Sequence, residues 1–382
     1  VAARLLAWFD VNRRDLPWRR TRDPYRVWVA EIMLQQTQVP TAIPYYRRFV
    51  RAFPTVRRLA AAPLDEVLRL WSGLGYYSRA RNLHAAARLV VSRDGGRIPR
   101  TYEGLLALPG VGAYTAGALL SIVFGQRLPA LDGNAARVLA RVFRVRGDIR
   151  SGRPRRRLEA VARAAVPEER PGDHNQALMD LGSSVCVPQQ PFCDRCPLAI
   201  ICEARLRGEQ DAIPAARRRP RPRSVRMVAA VGRRRGRVLI VQRPEGGVWG
   251  GLWEFPNEEL TPGQEPVAAA RRFLRARFAL HVTAATEMPS LRYGIVNQRV
   301  ELSVSVCEVA PGPTKPGPGV RTRWVRPREL DGHAMPAPHR RIARALATRP
   351  TKGPESRRRA PFRYAPPSAS RSTPSAKRAN RK

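Results

Sequence analysis

The chain has 382 residues, 70 Lys plus Arg against 30 Asp plus Glu, and a formal net charge of +40, enough length for two domains plus tails. Charge of that size repels itself unless a polyanion turns it into counterion release, so nucleic acid is the expected partner. No apolar run approaches the roughly 18 residues needed to span a bilayer, and the odd count of five cysteines argues against a disulfide framework.

The stretch Val1–Asp10 has no signal-peptide core, so the protein is expected as a monomer in the cytoplasm of a bacterial-type cell, at the nucleoid and away from membranes. From Val1 to about Ile213 the apolar spacing is helical: Ala3–Phe9, Tyr25–Gln38, Tyr45–Phe53, Leu64–Leu70, Arg79–Ser92, Tyr102–Leu106, Tyr114–Phe124, Ala135–Phe143 and Arg155–Ala165. Prolines 17, 24, 54, 63, 99 and 109 stand just before helical runs, as N-terminal signals should.

Within the second of these helices Glu31 is a lone acid in an apolar run, with Gln35 four residues later on the same face. A carboxyl desolvated by such neighbours keeps its proton near neutral pH and can act as a general acid; the alternative is a glutamate on an exposed stripe. The run Gly73-Leu74-Gly75-Tyr76-Tyr77 sets an aromatic pair on a glycine-flanked turn, where a ring can wedge into a base stack and help to extrude a nucleotide, or can simply pack. Gln35, Gln36 and Gln38 can fill the gap left by a flipped base, or form a polar helix face.

Leu108-Pro109-Gly110-Val111-Gly112 is a tight hairpin with a helix immediately after it. Its backbone N–H groups make a nest for a phosphate, although Gly-x-Gly turns also serve as plain helix connections. After that helix comes Leu131-Asp132-Gly133-Asn134. Asp132 is either a reactive carboxylate beside the grip or, like Asn134, only the cap of the following helix. With Glu31 it suggests two-carboxylate chemistry on a glycosidic bond, one acid protonating the leaving group and the other stabilising an oxocarbenium-like sugar. Arginines 141, 144, 146, 150, 153, 155, 156 and 157 add a basic patch, or a solvated face.

Cys186, Cys193, Cys196 and Cys202 are separated by six, two and five residues. Zinc modules usually present two close pairs separated by a longer span, whereas one compact loop wraps four thiolates around a larger object, so the spacing fits a [4Fe-4S] cluster, with zinc and four unrelated thiols as alternatives. Beyond it, 214–226 reads as a basic Pro/Arg linker kept extended by proline and like charge. Strand patterns follow at Met227–Val231, Val238–Gln242, Glu301–Cys307 and Arg323–Val325, with one helix near Ala268–Phe278; this second domain, 227–348, reads as α+β and largely antiparallel. Cys307 is expected to be an ordinary buried thiol. Residues 349–382 are Arg, Lys, Pro and Ser with few apolar groups, a composition that cannot build a core, and are expected to be a disordered basic tail.

Taken together, Leu16-Pro17-Trp18-Arg19, Glu31–Gln38, Leu70–Tyr77, Leu108–Ala116, Leu131–Asn134, Asn175-Gln176-Ala177 and the four cysteines resemble a MutY-type adenine DNA glycosylase of the helix-hairpin-helix superfamily. The resemblance implies a multidomain protein: an all-α glycosylase domain over 1–213 that includes the iron-sulfur loop 186–202, then an α+β Nudix-like lesion-recognition domain. It implies removal of adenine opposite 8-oxoguanine, and opposite guanine, from double-stranded DNA. Glu31 would be the acid and Asp132 the stabiliser of the sugar cation. Tyr114 and Asn134 would support them, Trp18, Arg19 and Gln176 would line the adenine pocket, and Gln36, Leu74, Tyr76, Gly110 and Gly112 would meet the duplex.

An endonuclease III-type lyase shares the hairpin, aspartate and cluster, but carries a lysine nucleophile two residues after the hairpin's second glycine, where this chain has Tyr114. Base removal with little strand cleavage is therefore expected. Gly250-Gly251-Leu252-Trp253-Glu254-Phe255-Pro256 resembles a Nudix-like domain, yet the helix Ala268–Leu274 has none of the glutamates that hold magnesium in hydrolytic Nudix proteins. The Phe-Ser-His that touches 8-oxoguanine in the family aligns with Ile295-Val296-Asn297. Val296 has no hydroxyl, leaving Asn297 or Gln298 to substitute. Two other functions are weighed: a non-catalytic iron-sulfur DNA-binding protein, against which the pair Glu31 and Asp132 counts, and a sister G/T mismatch glycosylase, against which Glu31 counts because a pyrimidine has no imidazole nitrogen to protonate.

Overall fold

The computed structural model describes residues 1–215 and 221–348; the middle of the expected linker and the expected basic tail lie outside the described residues. The first lobe is helical: α1 (Ala2–Asn12), a 3-10 turn (Pro17–Arg19), α2 (Pro24–Leu34), α3 (Val39–Ala52), α4 (Val56–Ala61), α5 (Leu64–Trp71), α6 (Ser78–Asp94), α7 (Tyr102–Leu106), α8 (Ala113–Ile122), α9 (Gly133–Val142), α10 (Gly152–Ala165), α11 (Pro171–Ser184) and α12 (Glu203–Leu206). Side-chain caps start several of them. Asp23 accepts from the N–H groups of Tyr25 and Arg26 with Pro24 in the first turn, and Thr55 and Thr101 cap α4 and α7 in the same way.

The apolar faces gather into two cores. One is built from α2 to α8 around Trp28, Phe49 and Trp71. The other joins α1 to α9, α10 and α11 around Leu5, Phe9, Leu139 and Leu181. Elements that pack into different cores face one another across a cleft, with α2 and α8 on one wall and α9 and α11 on the other.

The second lobe is one mixed sheet of β1 (Arg223–Arg234), β2 (Arg237–Gln242), β3 (Trp253–Glu254), β4 (Asn257–Glu259), β5 (Val282–Ile295), β6 (Gln298–Val309) and β7 (Thr322–Val325). Its order is β3-β2-β1-β6-β5, with β4 paired to β1 and β7 to β2. The pairing is antiparallel throughout except between β1 and β6, which run parallel from Arg223↔Gln298 to Arg233↔Glu308. Helix α13 (Pro266–Phe278) closes one face through Phe273, Leu274 and Phe278, and α14 (Ala337–Ala347) closes the other through Ile342 and Ala343. Cys307 is fully buried in the α13 core, as its sequence context implies.

Three expectations are corrected. The helix expected to run to Gln38 ends at Leu34: Gln35 turns out of it and Gln36 takes a left-handed φ of 56°. Arg223–Arg226, read as linker, already pair with Gln298–Glu301 as the start of β1. Helices α11 and α14 and strand β5 have no counterpart in the periodicity reading. Among the described residues no helix is long and apolar enough to cross a membrane.

Candidate active site

The cleft between the two helical cores holds a cavity of about 740 Å³ lined by Trp18, Arg19, Glu31, Gln36, Tyr114, Asp132, Asn134 and Gln176, among others. Eight residues from five separate sequence stretches thus meet in one place. Glu31, on the buried face of α2, is only 5% exposed, which removes the exposed-stripe alternative. Burial pushes its carboxyl up to about 7, opposed by the Tyr114 hydroxyl, raised further by the nearby Asp132 charge, and lowered by Arg19. Tyr114 Oη donates to Glu31 Oε2 at 2.6 Å. Burial first, then the Glu31 charge, holds the Tyr114 hydroxyl well above its ordinary range, so it stays a donor.

Asp132 caps the following helix and at the same time lines the cavity that Glu31 faces. Its Oδ1 accepts from the Ala135 N–H at 2.7 Å, capping α9, and its Oδ2 accepts from Asn134 Nδ2 at 3.1 Å. Burial raises the Asp132 carboxyl, and these bonds and the Arg137 charge pull it back down. Arg137 Nη2 in turn donates to Asn134 Oδ1 at 2.9 Å and to the Gly182 carbonyl at 2.7 Å. A Cβ on Gly182 would lie 2.7 Å from Asn134 Cβ, so glycine is what lets α11 approach the start of α9 this closely.

Helix α11 also fixes the other wall. Asn175 Oδ1 accepts from the Ala130 N–H at 3.1 Å and Asn175 Nδ2 donates to the Leu128 carbonyl at 2.8 Å, holding the strand of chain that delivers Asp132. Asp180 accepts from Arg19 Nη1 at 2.7 Å and Nη2 at 3.0 Å, and also binds Arg14. These guanidinium charges outweigh burial and hold the Asp180 carboxyl below the usual range. Trp18 stands edge-on to Tyr46 with ring centroids 5.3 Å apart. Asp180 was not singled out in the sequence, nor was Arg79. Arg79 Nη1 donates to the Ile32 carbonyl at 3.0 Å and the Met33 carbonyl at 2.8 Å and also bonds the Gln35 carbonyl, satisfying the open end of α2. From the same guanidinium, Nη2 reaches the Gly75 carbonyl at 3.1 Å.

Other expected site residues lie outside this cavity. Tyr76 is 55% exposed at a left-handed φ of 49°, flanked by Gly73 and Gly75, which also have positive φ. Leu74 is corrected: it is 6% exposed and packs in the first helical core, so it has no free surface to offer a duplex. Gly110 has φ 76° and its missing Cβ would meet Asn82 Cβ at 2.7 Å, which makes glycine necessary there; Gly112 precedes α8 in extended backbone. Val296 is 87% exposed at the β5–β6 turn with φ 50°, an uncommon value for a β-branched residue, and the Asn297 carbonyl accepts from the Arg223 N–H at 2.8 Å.

Cys186, Cys193, Cys196 and Cys202 line one small enclosed space with Arg141 and Phe192. Among the described residues no three His, Cys, Asp or Glu converge tightly enough to hold a single metal ion. The four thiols surround a space that the buried Arg141 also reaches, donating to Cys186 Sγ at 3.3 Å.

Residues 29–164 match the sequence profile of the HhH-GPD superfamily base excision DNA repair proteins, and residues 227–345 match a NUDIX domain. The adenine DNA glycosylase of Buchnera aphidicola subsp. Schizaphis graminum (strain Sg) is 34% identical over 254 residues, covering 66% of this chain and 73% of that protein. The chain belongs to the adenine DNA glycosylase family. In that family, the Schizosaccharomyces pombe protein is 33% identical over 323 residues, 68% of this chain and 69% of its own. The Homo sapiens adenine DNA glycosylase is 41% identical over 318 residues, covering 68% of this chain. The matched region spans 58% of the length of that human relative and 60% of the one from Rattus norvegicus. A helical domain with the hairpin is followed by a Nudix-like domain with a sheet.

Proposed function

We propose that the protein is a DNA N-glycosylase that removes adenine opposite 8-oxoguanine, and opposite guanine, in base excision repair. The observation that carries this reading is a buried Glu31 carboxyl pushed up to about 7 and facing the same cavity as Asp132. Double-stranded DNA is the substrate and partner, gripped at Gly110 and Gly112 through backbone N–H groups. Tyr76 enters the opened duplex and Gln36 takes the space the adenine leaves.

The extruded adenine enters the cavity between Trp18, Arg19 and Gln176. Protonated Glu31 gives its proton to the imidazole nitrogen of the base as the glycosidic bond breaks. The carboxylate of Asp132, ionised and held by Ala135 and Asn134, stabilises the developing sugar cation until water adds. Tyr114 holds Glu31 Oε2 in place. Because Tyr114 stands where a lyase has its lysine, no Schiff base forms and the strand is left uncut.

Cys186, Cys193, Cys196 and Cys202 would hold one [4Fe-4S] cluster, which supplies a rigid frame to the loop carrying Arg195, Arg205 and Arg207. Asn297, beside the hydroxyl-free Val296, is the residue offered to the base opposite adenine. A monomer at the bacterial nucleoid is part of the same proposal and rests on the net charge of +40.

Single-turnover incubation with duplexes carrying A opposite 8-oxoguanine, A opposite G and T opposite G, followed by alkali, tests the reading. Adenine release from the first two and no release from the third is expected; no release from the first ends the proposal. Borohydride trapping of a stoichiometric protein–DNA adduct on an abasic site would end its monofunctional part.

A further inference from the structure

Between the two lobes one carbonyl receives two hydroxyls. Tyr77 Oη donates to the Met335 carbonyl at 3.1 Å and Ser72 Oγ donates to the same oxygen at 3.3 Å. Tyr77 Oη also accepts from the Gly73 N–H at 3.3 Å. The Tyr77 ring is 4% exposed, and burial raises its hydroxyl above the ordinary range, so it remains a donor. A single buried hydroxyl thus joins the backbone of the Gly73–Tyr77 turn to the backbone of the sheet lobe.

Both ends of this link are firmly held. On the sheet side, the Met335 side chain lies in the core beneath α14. Arg340 Nη1 donates to the Leu330 carbonyl at 2.7 Å and Arg340 also binds the His333 carbonyl, fixing the segment that presents Met335. Leu252 and Ala334 of the same lobe are buried in the core of the helical lobe. On the helical side, the turn carries positive φ at Gly73, Gly75 and Tyr76, a conformation that needs outside support at the tyrosine. That support comes from Tyr77 at one end and from Arg79 at the other, through the Gly75 carbonyl. Arg79 passes the constraint on to the carbonyls that end α2, the helix of Glu31.

We propose that Tyr77 is a positioning residue for specificity: its hydroxyl relays the seating of the sheet lobe to the turn bearing Tyr76, and through Arg79 to the end of α2. The inference rests on the glycosylase reading for its functional consequence only. Because the proposed function has the sheet lobe meet the base opposite adenine through Asn297, uncoupling that lobe costs release opposite 8-oxoguanine more than release opposite guanine.

The test uses the full chain with Tyr77→Phe, which keeps the ring and removes the hydroxyl. Single-turnover adenine release opposite 8-oxoguanine should slow about tenfold while release opposite guanine changes less than about twofold. Amide exchange across residues 72–77 should speed up about tenfold. Ser72→Ala, which removes the second hydroxyl and leaves the Gly73 contact, should move both readouts the same way by about two- to threefold. Equal slowing on both duplexes would assign Tyr77 a merely structural role and overturn the relay. Unchanged exchange at 72–77 overturns it as well, whether or not the wild-type protein releases adenine; absence of release by the wild type refutes the proposed function instead.

Discussion

Each lobe buries one glutamate to the same extent, Glu31 and Glu254 both being 5% exposed, and the two are supplied with opposite kinds of neighbour. Glu254 lies within 2.9 and 3.0 Å of Arg243 Nη1, with His339 Nε2 3.6 Å away, and His339 is held neutral because burial lowers it to about 3. Glu31 meets a neutral hydroxyl, a second acid and only a more distant guanidinium. Burial raises both carboxyls; Arg243 in contact pulls Glu254 part of the way back, whereas Glu31, with no cation in contact, is pushed up to about 7 and holds its proton near neutral pH. Under the proposed function, the helical lobe keeps its acid available for chemistry.

The sharpest way to break that contrast is exchange of each acid for its amide. Glu31→Gln should lower single-turnover adenine release by about 10²–10⁴-fold, the range of a lost general acid, with duplex affinity nearly unchanged; loss of binding instead would make Glu31 structural. Its stability should move the other way. The folded-state value of about 7 lies above the ordinary glutamate value of 4.5, so Glu31 withdraws stability as pH rises from the unfolded value through the folded one. Glu31→Gln should therefore gain on the order of 3 kcal/mol at pH 8 and almost nothing at pH 4, as read by denaturant unfolding at the two pH values. Equal effects at both would show that the site does not penalise the ionised acid.

Glu254→Gln should gain clearly less at pH 8 than Glu31→Gln does, because Arg243 pulls the raised Glu254 carboxyl back toward its ordinary range, with adenine release at saturating enzyme within about threefold of wild type. A large catalytic loss with intact stability would place Glu254 in the chemistry after all. The pH–rate profile gives the finest comparison. Release by the wild-type protein should fall about tenfold per pH unit above pH 7, and the acid limb, set by the raised Asp132, should lie above the ordinary aspartate range. A profile flat to pH 9 would remove Glu31 as the proton donor.

Much of this was legible along the chain. Glu31 stands out as an acid in an apolar run, Asp132 follows a glycine hairpin, and the cysteine spacing is compact. Helix α11 was not legible, because it is buried on several sides: Gly172, His174, Asn175, Asp180 and Gly182 all lie inside, so no apolar stripe marks it. Asp180 was lost with it. Strand β5 hides for another reason, since Pro289 falls between Met288 and Leu291, where the register with β6 shifts, and proline interrupts a strand pattern wherever it marks a bulge. Leu74 was assigned to the duplex by resemblance alone, and its burial is decided by neighbours that only the packed fold supplies.

By itself the sequence determined residue chemistry and local geometry: which groups can ionise, which glycines permit a left-handed turn, which spacing brings four thiols together. Tertiary structure alone decided which carboxyl would be denied a cation, that α11 would clamp Arg19 and the approach to Asp132, and that Tyr77 would join the two lobes at Met335. The physical reason is range. Capping, turns and helix periodicity act over a few residues and are written locally, whereas desolvation and charge depend on neighbours about 50 to 260 positions away, which only the packed fold supplies.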